Sequence, residues 1–324
     1  MSTELSSPSA LSKKSLSPPS IGRTNAFQKL AISTTAITYL LILVGGLVRA
    51  SGAGMGCPDW PKCFGLYIPP LSAAQLPPQY DPALFNVVHT WTEYINRLLG
   101  ALTGIFIFAT LIAAVMVFIR KEHPHRRSIL LGTVSAFILV GYAGFLGGRV
   151  VKMGLEPWMV TAHLVVAILV VSSLLFATLR SLQLPVHVAK PRVTGISITL
   201  IALTLFQVGL GTQVRAAVEY QKRLLGGVER SAWLDAVGGI DVLHRQASLA
   251  VFALSVFVAY RLFKTLRGTT AQKAAFLSLG LVIVQIAAGV GLAYLALPPI
   301  LQIVHLIVGS LLLGAQSVVV LTSR

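Results

Sequence analysis

Two short stretches carry residue types that could do chemistry inside a membrane. Asp241-Val-Leu-His244-Arg245 lies where a loop enters an apolar run, and Glu93-Tyr-Ile-Asn96-Arg97 resembles it earlier in the chain. The second apolar segment after each carries one histidine near its start, in Thr161-Ala-His163-Leu164 and Ile303-Val-His305-Leu306. One half of the chain thus offers a His/His pair and the other an Asn/His pair. His244 lies about four residues into its helix and His305 about six into its own, so both reach ~6–9 Å below the same boundary. Two imidazoles at one depth on two helices can ligate one metal from opposite faces. No cysteine or carboxylate cluster shares that depth, so a haem iron fits better than zinc. The competing reading is a pair of histidines hydrogen-bonding across a helix interface.

Other polar groups surround these positions. Arg97 and Arg245 each follow the ligand-type position, where a guanidinium could bind a haem propionate bidentately or snorkel to headgroups. Glu93 stands one helical turn outward of Asn96 and His89 one turn further, so His89, Glu93 and Asn96 form one stripe. A carboxylate at a membrane edge beside a cofactor is a candidate for proton transfer or charge stabilisation. It could equally be an acid that favours its helix dipole. His123, His125 and His187 fall in loops and read as solvated. Trp60, Trp91, Trp158 and Trp233 fall near one interface, where amphipathic rings concentrate. Gly141, Gly144, Gly147 and Gly148 could admit a flat macrocycle, although ordinary close helix packing needs the same residues.

The elements that position these residues follow from composition. Of 324 residues, 55% are hydrophobic and only 11% charged, against roughly 25% charged in soluble domains. The apolar residues come in runs of about 20, enough to cross ~30 Å of hydrocarbon as a helix. Unpaired backbone in lipid is too costly for an open form, so the spans are helical. Eight are expected, near 27–48, 86–119, 128–149, 157–179, 194–214, 240–262, 273–295 and 299–321. The net charge of +16 sits in short loops between apolar runs, which excludes a nucleic-acid interface and matches the positive-inside pattern.

The charges also orient the chain. Lys13, Lys14, Arg23, Lys29, Arg120, Lys121, Arg126, Arg127, Arg180, Lys190, Arg192, Arg261, Lys264, Arg267, Lys273 and Arg324 fall on one side. Both termini are expected there, on the cytoplasmic face, with the long loops 50–85 and 215–239 facing outward. Residues 1–25, rich in Ser and Pro, read as a disordered cytoplasmic tail. Gly45-Gly-Leu-Val-Arg49 ends the first span as Gly211-Thr-Gln-Val-Arg215 ends the fifth. With the Glu93/Asp241 and His163/His305 matches, this gives an all-α integral membrane protein of eight transmembrane helices in two parallel four-helix repeats, 26–180 and 193–324. Cys57 and Cys63 lie in the outward loop, separated by a stretch with two prolines. A disulfide is expected there, structural or redox-active, with two free thiols as the alternative.

Five stretches resemble the haem A synthase family: GGLVRASGAGMGCPDWPKCFG (45–65), EYINRLLGALTG (93–104), WMVTAHLVV (158–166), DVLHRQASL (241–249) and LQIVHLIVG (301–309). The resemblance covers about residues 27 to 321. It implies conversion of haem O to haem A for cytochrome oxidase assembly, by oxidation of a ring methyl to a formyl group. It implies a resident haem b on His244 and His305, a substrate haem O in the first half, and Glu93 near the reacting edge. It also implies two partners, a haem O farnesyltransferase and an electron donor, and a site in the bacterial inner membrane, with the mitochondrial inner membrane as the alternative. A homo-oligomer is compatible with it.

The family usually carries Glu-x-x-His-Arg where this chain has Asn96. Three readings follow: a substrate haem held by His163 alone, substitution by His89 from ~10 Å along the helix, or an impaired first half. Retention of Glu93, Arg97, His163 and both cysteines favours the first. A different class competes with the synthase: a bis-His haem b electron carrier linked to quinone or thiol oxidation. A transporter of parallel repeats ranks below both, because the polar groups cluster at one side rather than the midplane.

Overall fold

The computed structural model describes residues 26–121, 123–187, 189, 191–225, 233, 236–295 and 297–323. The tail expected over 1–25 lies outside them, as do Glu229 and Asp235 of the second long loop. Among the described residues there is no strand, and eight helices are long and apolar enough to cross a membrane. They are α1 (Ala26–Ala50), α2 (Val87–Ile119), α3 (Arg126–Lys152), α4 (Pro157–Ser181), α5 (Pro191–Leu225), α6 (Gly239–Thr265), α7 (Thr270–Tyr294) and α8 (Pro299–Thr322).

Local chemistry sets the ends. Asn86 caps α2 by accepting the His89 N–H, and Thr269 caps α7 by accepting that of Gln272. α4 and α8 begin on Pro157 and Pro299, where a missing N–H costs no helical bond. Gly154 (φ 61°) and Gly268 (φ 77°) turn the chain between α3 and α4 and between α6 and α7.

The fifth helix departs from expectation. It runs to Leu225 rather than stopping near 214. Residues 216–225 (AAVEYQKRLL) are helix formers with no Gly or Pro to stop them, so part of the expected outer loop is helix. That extension carries Glu219 to Arg49 of α1, where the two form an ion pair at 3.5 Å.

Each half closes into a ring of four. α1 touches α2 and α4, and α3 touches the same two; α5 touches α6 and α8, and α7 touches those. The halves meet through α1 with α8, α4 with α5, and α4 with α8. Several threonines in the spans are satisfied within the bundle. Thr34 and Thr110 share a hydrogen bond at 2.8 Å, and Thr38, Thr103 and Thr133 donate back to carbonyls of their own helices.

Candidate functional site

α2 and α4 carry Asn96 and His163, and α6 and α8 carry His244 and His305. Each of the four faces a glycine on a neighbouring helix. A Cβ built on Gly211 of α5 would lie 3.1 Å from His244 Cε1, and one on Gly45 of α1 would lie 3.8 Å from Asn96 Oδ1. Likewise Gly147 of α3 faces His163 Cε1, and Gly289 of α7 faces His305 Cε1, each at 3.4 Å. The approach at Gly211 is tighter than a Cβ ordinarily makes, and the other three are at van der Waals contact.

The Nδ1 atoms of His163, His244 and His305, and Oδ1 of Asn96, are buried without a hydrogen-bond partner. The second half holds its two histidine backbones from below: Gln207 Nε2 donates to the His244 carbonyl at 2.8 Å and Gln285 Nε2 to that of His305 at 2.9 Å. The matching first-half positions are Leu41 and Ala143, which make no such bond. No group of three His, Cys, Asp or Glu side chains that could hold a bare metal ion occurs among the described residues. Two imidazoles on separate helices of one ring of four, each beside a glycine, are residue types that suit the two axial positions of a haem.

Over the first half the outer loop forms a compact cover. Cys57 and Cys63 are disulfide-bonded and buried. Glu93 is 4% exposed and accepts the Cys57 N–H at 2.8 Å. Arg97 uses all five of its N–H groups. Nε and Nη2 reach Glu93 Oε1, Nη2 also reaches the Cys57 carbonyl, and Nη1 reaches the carbonyls of Asp59 and Lys62. In this arrangement no donor is left over for a propionate. The Asp59 carboxylate accepts the N–H groups of Phe64 and Gly65, at 2.6 and 2.8 Å, and closes the turn beyond Cys63. Gly56 rests on the backbone of His89 and Thr90. His89 itself stays in the first turn of α2, about 10 Å along the axis from Asn96.

The second half repeats the acid–arginine pair. Arg245 and Asp241 bond at 2.6 Å, with the arginine side chain 51% exposed.

Several residues of this region had no role assigned from the sequence. Trp60 packs its ring on Gly148, beside the glycine that faces His163. Arg215 donates to Gln302 Oε1 at 2.6 Å and to the Arg49 carbonyl at 3.3 Å. Thr161, Thr212 and Gln213 bond one another across the two halves. The signal for the arginines was present, since Arg49 and Arg215 close the two matching glycine motifs. Their meeting across the halves depends on helix packing.

Fold and site together define a class, the all-helical multi-pass membrane protein with histidines set against glycines inside its bundles. Residues 28–317 match the COX15-CtaA family, described as "Cytochrome oxidase assembly protein", and the chain belongs to that family. Similar relatives include the "Heme A synthase" of Methylobacterium nodulans, 28% identical over 87% of this chain and 88% of the relative. Those of Shewanella oneidensis (26% identical; 84% of this chain, 89% of the relative) and Rickettsia prowazekii (24%; 86% and 92%) carry the same name. The relatives are bacterial and the chain is a multi-pass membrane protein.

Proposed function

We propose that this chain is a haem A synthase that oxidises the methyl group of haem O to a formyl group. The observation that carries the reading is the family match over residues 28–317 on a fold that sets histidines against glycine inside each half. In this reading His244 and His305 bind a resident haem b, and His163 holds the substrate haem. Bound haem supplies electron transfer in the second half and oxygen chemistry at iron in the first.

The chain's own residues supply the rest. Gly211, Gly147 and Gly289 let the Cε1 edges of the imidazoles come close to neighbouring helices, while Gln207 and Gln285 fix the backbone that carries the second pair. Trp60 and the disulfide loop exclude water from the first half's mouth. Glu93 lies under that loop with its charge offset by Arg97, close to where a substrate haem edge would enter. Arg245, and the Arg49/Arg215 pair between the halves, bring positive charge to the mouth, which suits propionates. A haem O farnesyltransferase would supply the substrate, and an electron donor would reduce the second half.

Extraction and chromatography of haems from purified wild type and His305→Ala, with optical spectra of both, tests this. Haem A or its alcohol precursor in the wild type, and loss of low-spin haem b in the variant, is the expected result. Haem b alone when haem O is supplied would overturn it in favour of a haem b electron carrier.

A further inference from the structure

Asn96 and His244 take the same place in their halves. Each lies three residues after an acid and one before an arginine, and each faces a glycine of the preceding long helix. Only one is an imidazole. A carboxamide is not among the side chains that ordinarily hold haem iron. It also ends one bond nearer its Cα than does the imidazole Nε2. His163 and His305 correspond in the same way, each with its ring on the glycine of the helix before it. A haem seated on His163 as the other half seats one on His305 would be bonded on one face. Its other face would look across a gap at the Asn96 amide.

Among the described residues, the candidates to close that gap are distant or engaged. His89 is about 10 Å along the helix. Glu93 is engaged by the Cys57 N–H and by Arg97, and Arg97 is saturated by Glu93 and loop carbonyls. The Asn96 amide, by contrast, makes no hydrogen bond through either its nitrogen or its buried Oδ1 among the described residues.

We propose that the first half is a one-histidine haem site, and that Asn96 is its positioning residue for a small oxygen-type ligand. The amide N–H donates to a neutral diatomic bound on the open side of the iron. The second half, closed by two imidazoles, takes no such ligand. The two halves therefore divide the work: one is open for exchange of a small molecule, the other closed for electron transfer. This rests on the haem reading above. It adds what that reading leaves open, namely which half binds a diatomic ligand and which side chain greets it.

The test uses the purified holoprotein, with haem content fixed first by extraction. Ferric electron paramagnetic resonance then separates high-spin from low-spin haem, and carbon monoxide probes the reduced protein. The expected wild type shows one high-spin population that binds carbon monoxide and one low-spin population that does not. Asn96→His should abolish the high-spin signal and carbon monoxide binding while leaving the second-half signal unchanged. Asn96→Leu should keep both but raise the C–O stretching frequency, because the donor is gone. Two haems that are both low-spin in the wild type would overturn the proposal, as would an Asn96→His protein that still binds carbon monoxide. An unchanged C–O stretch in Asn96→Leu would remove the donor role. Recovery of a single haem per chain would defeat the two-haem reading itself, at the extraction step, and this inference with it.

Discussion

At the scale of single residues, two ion pairs of the same sequence pattern differ by environment. Glu93–Arg97 and Asp241–Arg245 are both spaced i, i+4, yet the Arg97 side chain is 14% exposed and that of Arg245 51%. Removing one partner of a buried pair leaves the other uncompensated, at a cost of about 3–5 kcal/mol. An exposed pair is worth roughly 0–1 kcal/mol. Arg97→Met is therefore expected to lower the thermal unfolding midpoint in detergent sharply and to loosen the loop carbonyls of Cys57, Asp59 and Lys62. Arg245→Met should leave the midpoint nearly unchanged. Equal effects would show that the loop does not bury the first pair. His123 makes a second residue-scale case. It was read from the sequence as a solvated loop histidine, but it is buried. Its Nδ1 accepts the His125 N–H at 3.0 Å, which places the ring proton on Nε2, 3.2 Å from the Ser181 carbonyl. Burial lowers its pKa below the ordinary 6.5, and the charge of His125 lowers it further. The unfolded chain then binds a proton that the folded chain refuses. Stability is full above about 6.5 and is lost as pH falls from there towards the folded value. Thermal midpoints between pH 8 and pH 5 should fall for the wild type, and less for His123→Asn. Parallel curves would assign the pH dependence elsewhere.

At the scale of elements, hydropathy periods gave all eight helices because a span of about 20 apolar residues has few other solutions in lipid. The ligand-type positions were legible for a related reason: a polar group in such a span is costly and stands out. What was not legible was which face meets which helix. The glycines at 141, 144, 147 and 148 looked alike in the sequence, but only Gly147 faces His163 and only Gly148 faces Trp60, while Gly141 and Gly144 face open space. Packing also reveals a difference between the halves. Ile107, Ala136 and Leu174 cluster in the first half, and their second-half counterparts are Ser255, Ser278 and Gln316. These three line a small cavity of about 10 Å³ with Ser197 of α5. Ser278 Oγ and Gln316 Oε1 have no partner there, while Gln316 Nε2 donates to Thr204 at 3.0 Å. An unpartnered buried polar atom costs about 1–3 kcal/mol, more than the net gain of about 1 kcal/mol from one hydrogen bond. The double variant Ser278→Ala/Gln316→Leu, which copies the first half's residues, is therefore expected to match or exceed the wild-type thermal midpoint. A clear fall would mean that these groups are satisfied by a bound water, whose loss the apolar pair cannot offset.

At the scale of the whole molecule, the end of the bundle that carries Asn96, His163, His244 and His305 is opposite the end where α1 begins and α8 ends. The connections at the termini end are short and basic, with Arg120, Lys121, Arg126 and Arg127 between α2 and α3, and Arg261, Lys264, Arg267 and Lys273 around the turn from α6 to α7. The histidine end carries the disulfide loop. Both signs agree, since basic short loops are retained in the cytoplasm and disulfides persist on the oxidising side. On the proposed reading the mouths of both sites are expected to open outward, with the disulfide loop over the first. With Cys57 and Cys63 paired, no cysteine is free, and the wild-type chain gives a clean background for labelling. Leu71 of the outer loop is 65% exposed, and a cysteine placed there should react with a membrane-impermeant maleimide in intact cells. A cysteine at Lys121, in the exposed turn after α2, should react only after lysis. The opposite pattern would invert the chain. It would put the disulfide loop on the reducing side and leave the positive charges facing outward. The one orientation that satisfies charge, redox compartment and site access together is the outward-opening one, and two single-cysteine variants decide it.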